Sequence, residues 1–447
     1  VYCSKRRAAL IAVLTASLSP LAGFSAEPAP VGPAETASAT QDPAAPAAIE
    51  STAQGLTIEQ LEALALQHNP TLEQARAETW KTHGRYVQAG LYPNPDVGYA
   101  ASEVGNDGYG GQQGGYIQQE FVFGGKLGLS QNIASAERDA AGHALQLQEL
   151  RVRNNVRLEF YAILVAERNL DLARQLFTVA ENAAKLARIR SEQGEASKLD
   201  ELQARGEQQR AAVVVAQAGN AVEAAWRRMR AVVGTPSLSQ QSLTGNIEQH
   251  QLPDVSFDEL LARLQSTSPQ IRLAEARINR AQAAVARAEV EPIPNLTLQN
   301  TIQYDASTRF TVVGIQATLP VPVFDRNQGN ITEAENEWIR ASREVDRLRL
   351  EQQHALATRW QQFANARIQV EQYRSEVLPT VSETLKLTRA AYEAGEADYL
   401  RLLTAQRSYT ETYREYVTAL GAAWQEAVQL NGLLLTNGLA AAESVTN

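Results

Sequence analysis

In the run Pro292-Ile293-Pro294-Asn295-Leu296-Thr297-Leu298-Gln299-Asn300-Thr301-Ile302-Gln303-Tyr304 the side chains alternate without a break. Leu296, Leu298, Asn300, Ile302 and Tyr304 fall on one side, and Asn295, Thr297, Gln299, Thr301 and Gln303 on the other. A period of two with one greasy and one wet side reads as a β-strand between two different environments. The segment that returns, 310–320, sets Val313, Ile315, Ala317 and Leu319 against Val312, Gly314, Gln316 and Thr318, so the two form a hairpin. Pro292 and Pro294 stop the helix expected over 270–289, because proline lacks the amide donor that a helix needs.

The same punctuation occurs once before. Pro70, Pro93 and Pro95 return as Pro269, Pro292 and Pro294, each 199 residues on. Gly194-Glu195-Ala196 returns as Gly395-Glu396-Ala397 at 201, and Trp226 with Gly234 returns as Trp424 with Gly432 at 198. Two copies of one unit follow, over 56–235 and 255–433, joined by a connecting segment 236–254. Each opens with short helices, 57–68 and 71–90 in the first and 256–266 and 270–289 in the second, parted by Asn69-Pro70 or Ser268-Pro269. The first hairpin is expected within 95–123, with Val97, Tyr99 and Ala101 facing 116–123 across a Gly-rich tip at 105–115. The second lies within 293–322.

After each hairpin the period changes to that of helices of unusual length, 125–192 and 327–393, with only Pro379 inside them. At 1.5 Å per residue each extends about 100 Å. Val156, Ile163, Leu170, Phe177 and Ala184 recur every seven, with Ala166, Ala173, Ala180 and Ala187 three residues on. Ile331, Ala334, Trp338, Ala341, Val345 and Leu348 share the three-four spacing. This is coiled-coil patterning with small residues that allow close approach. At Gly194 and Gly395 the chain turns, and return helices run to about 233 and 432, carrying Leu403, Thr410, Val417 and Trp424 at the same repeat. A return helix of 36 residues and an earlier one of 20 together reach about 84 Å, close to their long partner. Trp226 and Trp424 sit on apolar stripes, where core packing explains them.

Residues 1–26 read as a secretory signal: Lys5, Arg6 and Arg7, an apolar run from 8 to 18, then Pro20 and small residues to Ala26. Residues 27–55 follow as a disordered Ala/Pro-rich tail without enough apolar surface to order itself, and 434–447 read as a featureless C-terminal tail. Cys3 precedes the apolar run, so the processed chain has no cysteine for disulfides or thiolate metal sites. Loss of the three basic residues takes the formal net charge from −9 to −12, which argues against a nucleic-acid partner. His68, His83, His143, His250 and His354 never fall at metal-ligand spacing. Gly124-Gly125-Lys126 lacks the frame of a phosphate loop, and no Gly-x-Ser-x-Gly element or acid/base pair appears. No cofactor, metal site or catalysis is expected.

Four strands of about ten residues with one apolar face have the length to cross a bilayer tilted, but four cannot close a barrel. Open edges are not tolerated in lipid, so other copies must supply the missing strands. Two chains give eight strands and a filled interior; three give twelve and room for a passage, which the Gln, Thr and Asn face favours. Aromatic belts are expected at Tyr304 and Phe310 outside and at Phe123 and Phe324 inside.

The doubled layout, the Pro-x-Pro entrances, the Gly-Glu-Ala turns and the tract Pro320-Val321-Pro322-Val323-Phe324-Asp325-Arg326-Asn327-Gln328-Gly329 resemble the TolC-like outer-membrane efflux proteins over about 56–433. With Phe123-Gly124-Gly125-Lys126, the tract most resembles the branch that serves cobalt–zinc–cadmium exporters. The resemblance implies a mainly α fold with a small β part. It implies a homotrimer with a twelve-stranded barrel in outer-membrane lipid and a periplasmic helical tunnel. It further implies a periplasmic adaptor and a proton-driven inner-membrane pump as partners, and passive conduction of divalent metal cations. The same channel type serving organic toxicants or type I secretion is the alternative. A periplasmic coiled-coil scaffold is a remoter one, and it leaves the duplicated strands unexplained.

The resemblance also implies that the tunnel is closed where the long helices turn. Counted from the turn glycines, Asp200 matches a family aspartate and Tyr392 a family tyrosine, while the basic partner falls on Ala397 and two family acids fall on Arg401 and Thr404. A rewired lock is therefore expected, with Glu195, Asp200, Glu396 and Asp398 as an acidic ring that admits cations and Arg401 as a closing partner. The plainer reading is that these acids favour the N-termini of the returning helices, by about 0.3 to 1 kcal/mol each.

Overall fold

The computed structural model describes residues 55–105, 108, 110–194, 197–245, 247–248, 252–394, 396–397 and 399–443. The leader expected over 1–26, the Ala/Pro-rich stretch up to 54, and Glu195, Gly395 and Asp398 at the turns lie outside the described residues. The first repeat runs α1 (Ile58–His68), α2 (Pro70–Ala89), β1 (Asp96–Ser102), β2 (Gln112–Phe121), α3 (Lys126–Glu192) and α4 (Lys198–Val233). The second runs α5 (Phe257–Thr267), α6 (Pro269–Glu289), β3 (Leu296–Asp305), β4 (Phe310–Thr318), α7 (Gln328–Gln372), a π-helical turn (Tyr373–Val377), α8 (Leu378–Glu393) and α9 (Tyr399–Asn431).

The chain starts its helices where side chains can cap them. Thr57 and Gln60 form a reciprocal capping box at α1, and the Glu259 amide donates to Ser256 Oγ at α5. Asn69 closes α1 and opens α2: its Oδ1 accepts from the Thr71 amide at 2.9 Å, while Pro70 occupies the first turn where its missing N–H costs nothing. Its Nδ2 donates to Val232 O at 2.7 Å, which ties the start of α2 to the end of α4. Gly234 ends α4 at φ +78°, and a Cβ there would fall 2.4 Å from His68 O, so only glycine lets the two helix ends abut. α2 and α4 thus lie end to end along α3, whose 67 residues extend about 100 Å.

The expected rod over 327–393 has one irregularity. Pro379 removes an amide and crowds the carbonyl of Ser375, and the helix answers with the π-helical turn over Tyr373–Val377. The four strands form one antiparallel sheet in the order β1-β2-β3-β4, so the hairpins of the two repeats zip together through β2 and β3. Of the expected facing of Val97, Tyr99 and Ala101 with 116–123, Val97 falls in range, while Tyr99 and Ala101 are corrected to Gly115 and Gln113. β2 begins at Gln112, Ala101 pairs with Gln113 and Val97 with Ile117, because glycines 114 and 115 extend as strand and the tip shortens.

The end of the chain, read as a featureless tail, is held through Glu443. Leu433 and Leu435 are buried, Gln148 Nε2 donates to Gly438 O at 2.9 Å, and Arg151 pairs with Glu443 at 3.0 Å. Buried amides make these ties where apolar contact alone would not fix register: Asn154 Nδ2 donates to Gly432 O at 2.8 Å and to Leu435 O at 2.6 Å. The core gathers Leu61 and Ala65 of α1, Val152, Val156, Phe160 and Ile163 of α3, Trp226 and Met229 of α4, and Val417, Leu420 and Trp424 of α9. Trp424 stacks on Tyr161 with centroids 4.5 Å apart. Glu137, almost buried on α3, accepts from Arg280 of α6 at 2.9 Å and faces Arg85 of α2 at 3.7 Å, fastening three neighbouring helices.

Trp226 is fully buried, so Trp226→Ala should lower stability by about 3 to 5 kcal/mol. Thermal unfolding followed by circular dichroism in detergent checks this, and an unchanged transition would contradict the placement of the core.

Candidate functional site: an open row of strands and helices

Register fixes which side chains share a sheet face. On one face stand Val97 and Tyr99 of β1, Ile117 and Phe121 of β2, Leu296, Leu298, Ile302 and Tyr304 of β3, and Val313, Ile315 and Ala317 of β4, with Gln113, Gln119, Asn300 and Thr311 among them. On the other stand Ser102, Gln112, Tyr116, Gln118 and Glu120, then Thr297, Gln299, Thr301 and Gln303, then Gln316 and Thr318. Val97 is 79% exposed and Ile315 is 74% exposed on the apolar face. Such a contiguous greasy surface is stable only against lipid or another apolar partner.

The belt expectation divides accordingly. Tyr304 lies on the apolar face at its outer end. Phe310 pairs with Asp305 and alternates onto the polar face, so it is withdrawn from the belt, and Tyr99, whose hydroxyl donates to Gln113 at 2.9 Å, shares the apolar face instead. Near the helix end of the sheet Phe121, Phe123 and Phe324 are exposed, the last at 91%.

The two long helices start from left-handed turns. Gly124 and Gly125, at φ +72° and +71°, swing the chain from β2 into α3, and Asn327 at φ +61° does the same for α7, asparagine being one of the few other residues that tolerate that conformation. The Gly-Gly-Lys element is therefore a strand-to-helix joint. Lys126 is buried there and reaches Glu291 at 3.6 Å. Pro93, Pro95, Pro292 and Pro294 flank the same joints at the strand entrances, outside every helix and strand.

Below the sheet the helices keep its order. α2, α3, α6 and α7 pack as a row, and farther down α4, α3, α9 and α8 pack as a second row. The end helices carry large apolar side chains that nothing among the described residues covers: Trp80, 73% exposed on α2, Ile339 and Leu350 on α7, Val213 on α4 and Leu387 on α8. The seven-residue seam of α3 is deeply buried at Val156 and Ile163 but only half-buried at Leu170, Phe177 and Ala184.

At the tip, Asp200 has a local task. Its Oδ2 accepts from Ser197 Oγ at 2.8 Å and from the Ser197 amide at 3.2 Å, forming the cap of α4. Tyr392 meets Arg190: the guanidinium lies 5.6 Å from the ring centroid and Nη1 donates to the hydroxyl at 3.4 Å. Arg407 of α9 pairs with Glu207 of α4. Glu396 is held by its backbone, its amide donating to Ala391 O at 2.8 Å, and Arg401 is exposed at the start of α9. Sequence reasoning missed Arg190, Glu207 and Arg407. Their distance from the turn, about one turn for Arg190 and three for the pair, was the available signal.

A second polar node lies higher. Glu248 Oε1, in the connecting segment, accepts from Arg168 Nε of α3 at 2.9 Å and from the Tyr413 hydroxyl of α9 at 2.5 Å, while Arg168 also donates to Tyr413. Burial and the hydrogen bond to Glu248 push the Tyr413 phenol up to about 12, so it stays a donor. Among the described residues no group of three or more His, Cys, Asp or Glu gathers as metal ligands, and no helix is long and apolar enough to cross a membrane.

The family model for outer membrane efflux proteins matches residues 61–235 and 260–434. The cobalt-zinc-cadmium resistance protein CzcC of Cupriavidus metallidurans is 28% identical over 379 residues, covering 85% of this chain and 90% of CzcC. The nickel-cobalt-cadmium resistance protein NccC of Alcaligenes xylosoxydans is 27% identical over 305 residues, covering 63% of this chain and 64% of NccC. The crystal structure of CusC, a protein that forms a transmembrane channel, superposes with a TM-score of 0.69 at 20% identity, covering 85% of this chain and 92% of CusC.

Ile302 and its neighbour Gln303 point to opposite faces. Arginine at a lipid-facing mid-strand position costs about 2 to 4 kcal/mol, so Ile302→Arg should cut the yield of membrane-inserted protein sharply while Gln303→Arg inserts normally. Equal yields would reverse or abolish the facial assignment.

Proposed function

The chain belongs to the outer membrane efflux protein family, and from that premise we propose that it is the passive exit duct of a tripartite efflux system for divalent heavy-metal cations. It sits in the outer membrane, with its long helices forming a periplasmic tunnel. The observation that carries the duct is the four-stranded sheet with one greasy face, one wet face and unpaired edges at β1 and β4. A homotrimer closes twelve such strands around a passage and places the wet faces inside. The uncovered stripes on α2, α7, α4 and α8 then become the seams between copies.

The similarity to CzcC and NccC, both named for metal resistance, supports metal cations as cargo. Selection and energy come from a periplasmic adaptor and an inner-membrane pump, and this chain supplies the way out without catalysis. The Gln- and Thr-lined face offers hydrogen bonds without a binding cluster, which suits a conduit better than a store. At the tip, Tyr392 with Arg190 acts as the closing contact, and the acidic residues that the sequence carries at the two turns, Glu195, Glu396 and Asp398, repeated by symmetry, favour cations at the entrance, with Arg401 as a closing partner. Asp200 contributes charge there while it caps α4.

Deletion of the gene should sensitise cells to zinc, cobalt or cadmium, with recovery on complementation. Hypersensitivity confined to organic toxicants would assign the duct to another cargo. In planar bilayers, Arg190→Ala should raise the mean conductance, and neutralising Glu195, Glu396 and Asp398 together should reduce cation preference. Unchanged selectivity in the second variant would leave the acids as helix-terminal residues only.

A further inference from the structure

The connecting segment between the repeats is pinned at four points. Leu243 bridges Leu56, Ile247 is buried in the core, Glu248 takes Arg168 and Tyr413, and Asp254 accepts from Arg367 of α7 at 2.7 Å. Its described residues therefore touch α3, α9 and α7, as a strap. On the side of the node towards the sheet, Phe160, Ile163, Val417 and Leu420 share one buried core. On the side towards the tip buried apolar side chains become sparse, Leu172 and Ala173 of α3, Ala204 of α4 and Leu402 of α9 among them. A cavity of about 470 Å³ lies between α3, α4 and α9 and reaches up to Asn169 and Arg414 at the level of the node, and another of about 390 Å³ lies between α3, α8 and α9.

The π-helical turn lies at the same height: the Tyr373 hydroxyl donates to Glu415 Oε2 at 2.9 Å, two residues from Tyr413. A π turn is a point where a helix bends more readily than elsewhere. α3 has no such interruption over its 67 residues. Close packing, a polar tie, a loosened turn and empty space thus follow one another along the helices.

We propose that the Arg168–Glu248–Tyr413 node is the fulcrum of tip opening, a strap contact that keeps α3 and α9 together while the helices below it change their separation. This rests on the duct reading, and it adds where the motion is hinged. Above the node, movement would break a close-packed core, whereas below it the two cavities let side chains slide without new voids. Glu248 is the one member that the strap supplies, so its charge couples the connection between the repeats to the opening of the tunnel. Losing that charge-assisted bond loosens α3 from α9 at the node and shifts the load of closure to contacts nearer the tip, Arg190 with Tyr392 and Arg407 with Glu207 among them.

The test is the conductance of the full chain in planar bilayers. Glu248→Gln and, separately, Tyr413→Phe should each raise the open fraction about tenfold. Glu62→Gln, in the Arg157–Glu62 pair above the node, should behave as wild type. In a Glu207→Cys/Arg407→Cys background, a short bis-maleimide crosslinker should abolish the increase. Wild-type protein that carries no current would sink the duct reading itself. Wild type that conducts, with both node variants identical to it or with an increase that survives the crosslinker, would overturn the fulcrum and leave the duct standing.

Discussion

Inside a bilayer every backbone amide and carbonyl must find a partner in protein, because the hydrocarbon offers none. This chain places four strands with a lipid-compatible face in one sheet, and leaves one edge of β1 and one edge of β4 without partners among the described residues. Incompleteness is thus built into the single copy. The apolar face at Val97, Ile117, Ile302 and Ile315 calls for lipid, and lipid in turn forbids the open edges, so closure by further copies follows from the two facts together.

The helices inherit that arrangement. Each hairpin of strands continues into helices in the same lateral order, so the row of four strands becomes a row of four helices and then a second such row. A row has two ends, and the uncovered Trp80, Leu350, Val213 and Leu387 mark them in both tiers. Where the core is thick, around Val156 and Trp226, the rows are fixed. Where it thins, below Arg168, ionic and aromatic contacts such as Arg190 with Tyr392 replace apolar packing. That gradient from apolar to polar adhesion runs from the sheet towards the turns of the long helices. Apolar packing resists sliding at every point of contact, whereas a few polar ties at a tip are broken and remade singly.

The sequence carried this architecture unevenly. Strict alternation in 295–304 marked β3 because both faces meet different media, and the paired prolines marked where α2 and α6 stop because proline cannot donate. The first hairpin was harder to read, since glycines 114 and 115 have no side chains to register a period and the strand began earlier than the aromatic residues implied. Phe310 looked like a belt residue by composition, while only pairing with Asp305 reveals its face. The C-terminal segment carried no pattern because its ties are single buried amides, Gln148 and Asn154, which leave no periodic trace. The Glu248 node was invisible for a related reason: its three members are separated by 80 and 165 residues, and nothing local distinguishes them from solvated charges.

The most direct test of incompleteness is disulfide crosslinking between single cysteines introduced along β1 and β4, in a chain whose Cys3 is replaced, with the protein held in mild detergent. Closure predicts that β1 of one copy crosslinks to β4 of the next, giving covalent species up to three chains and none larger. A chain that stays monomeric, or that joins β1 to β4 only within itself, would contradict the account.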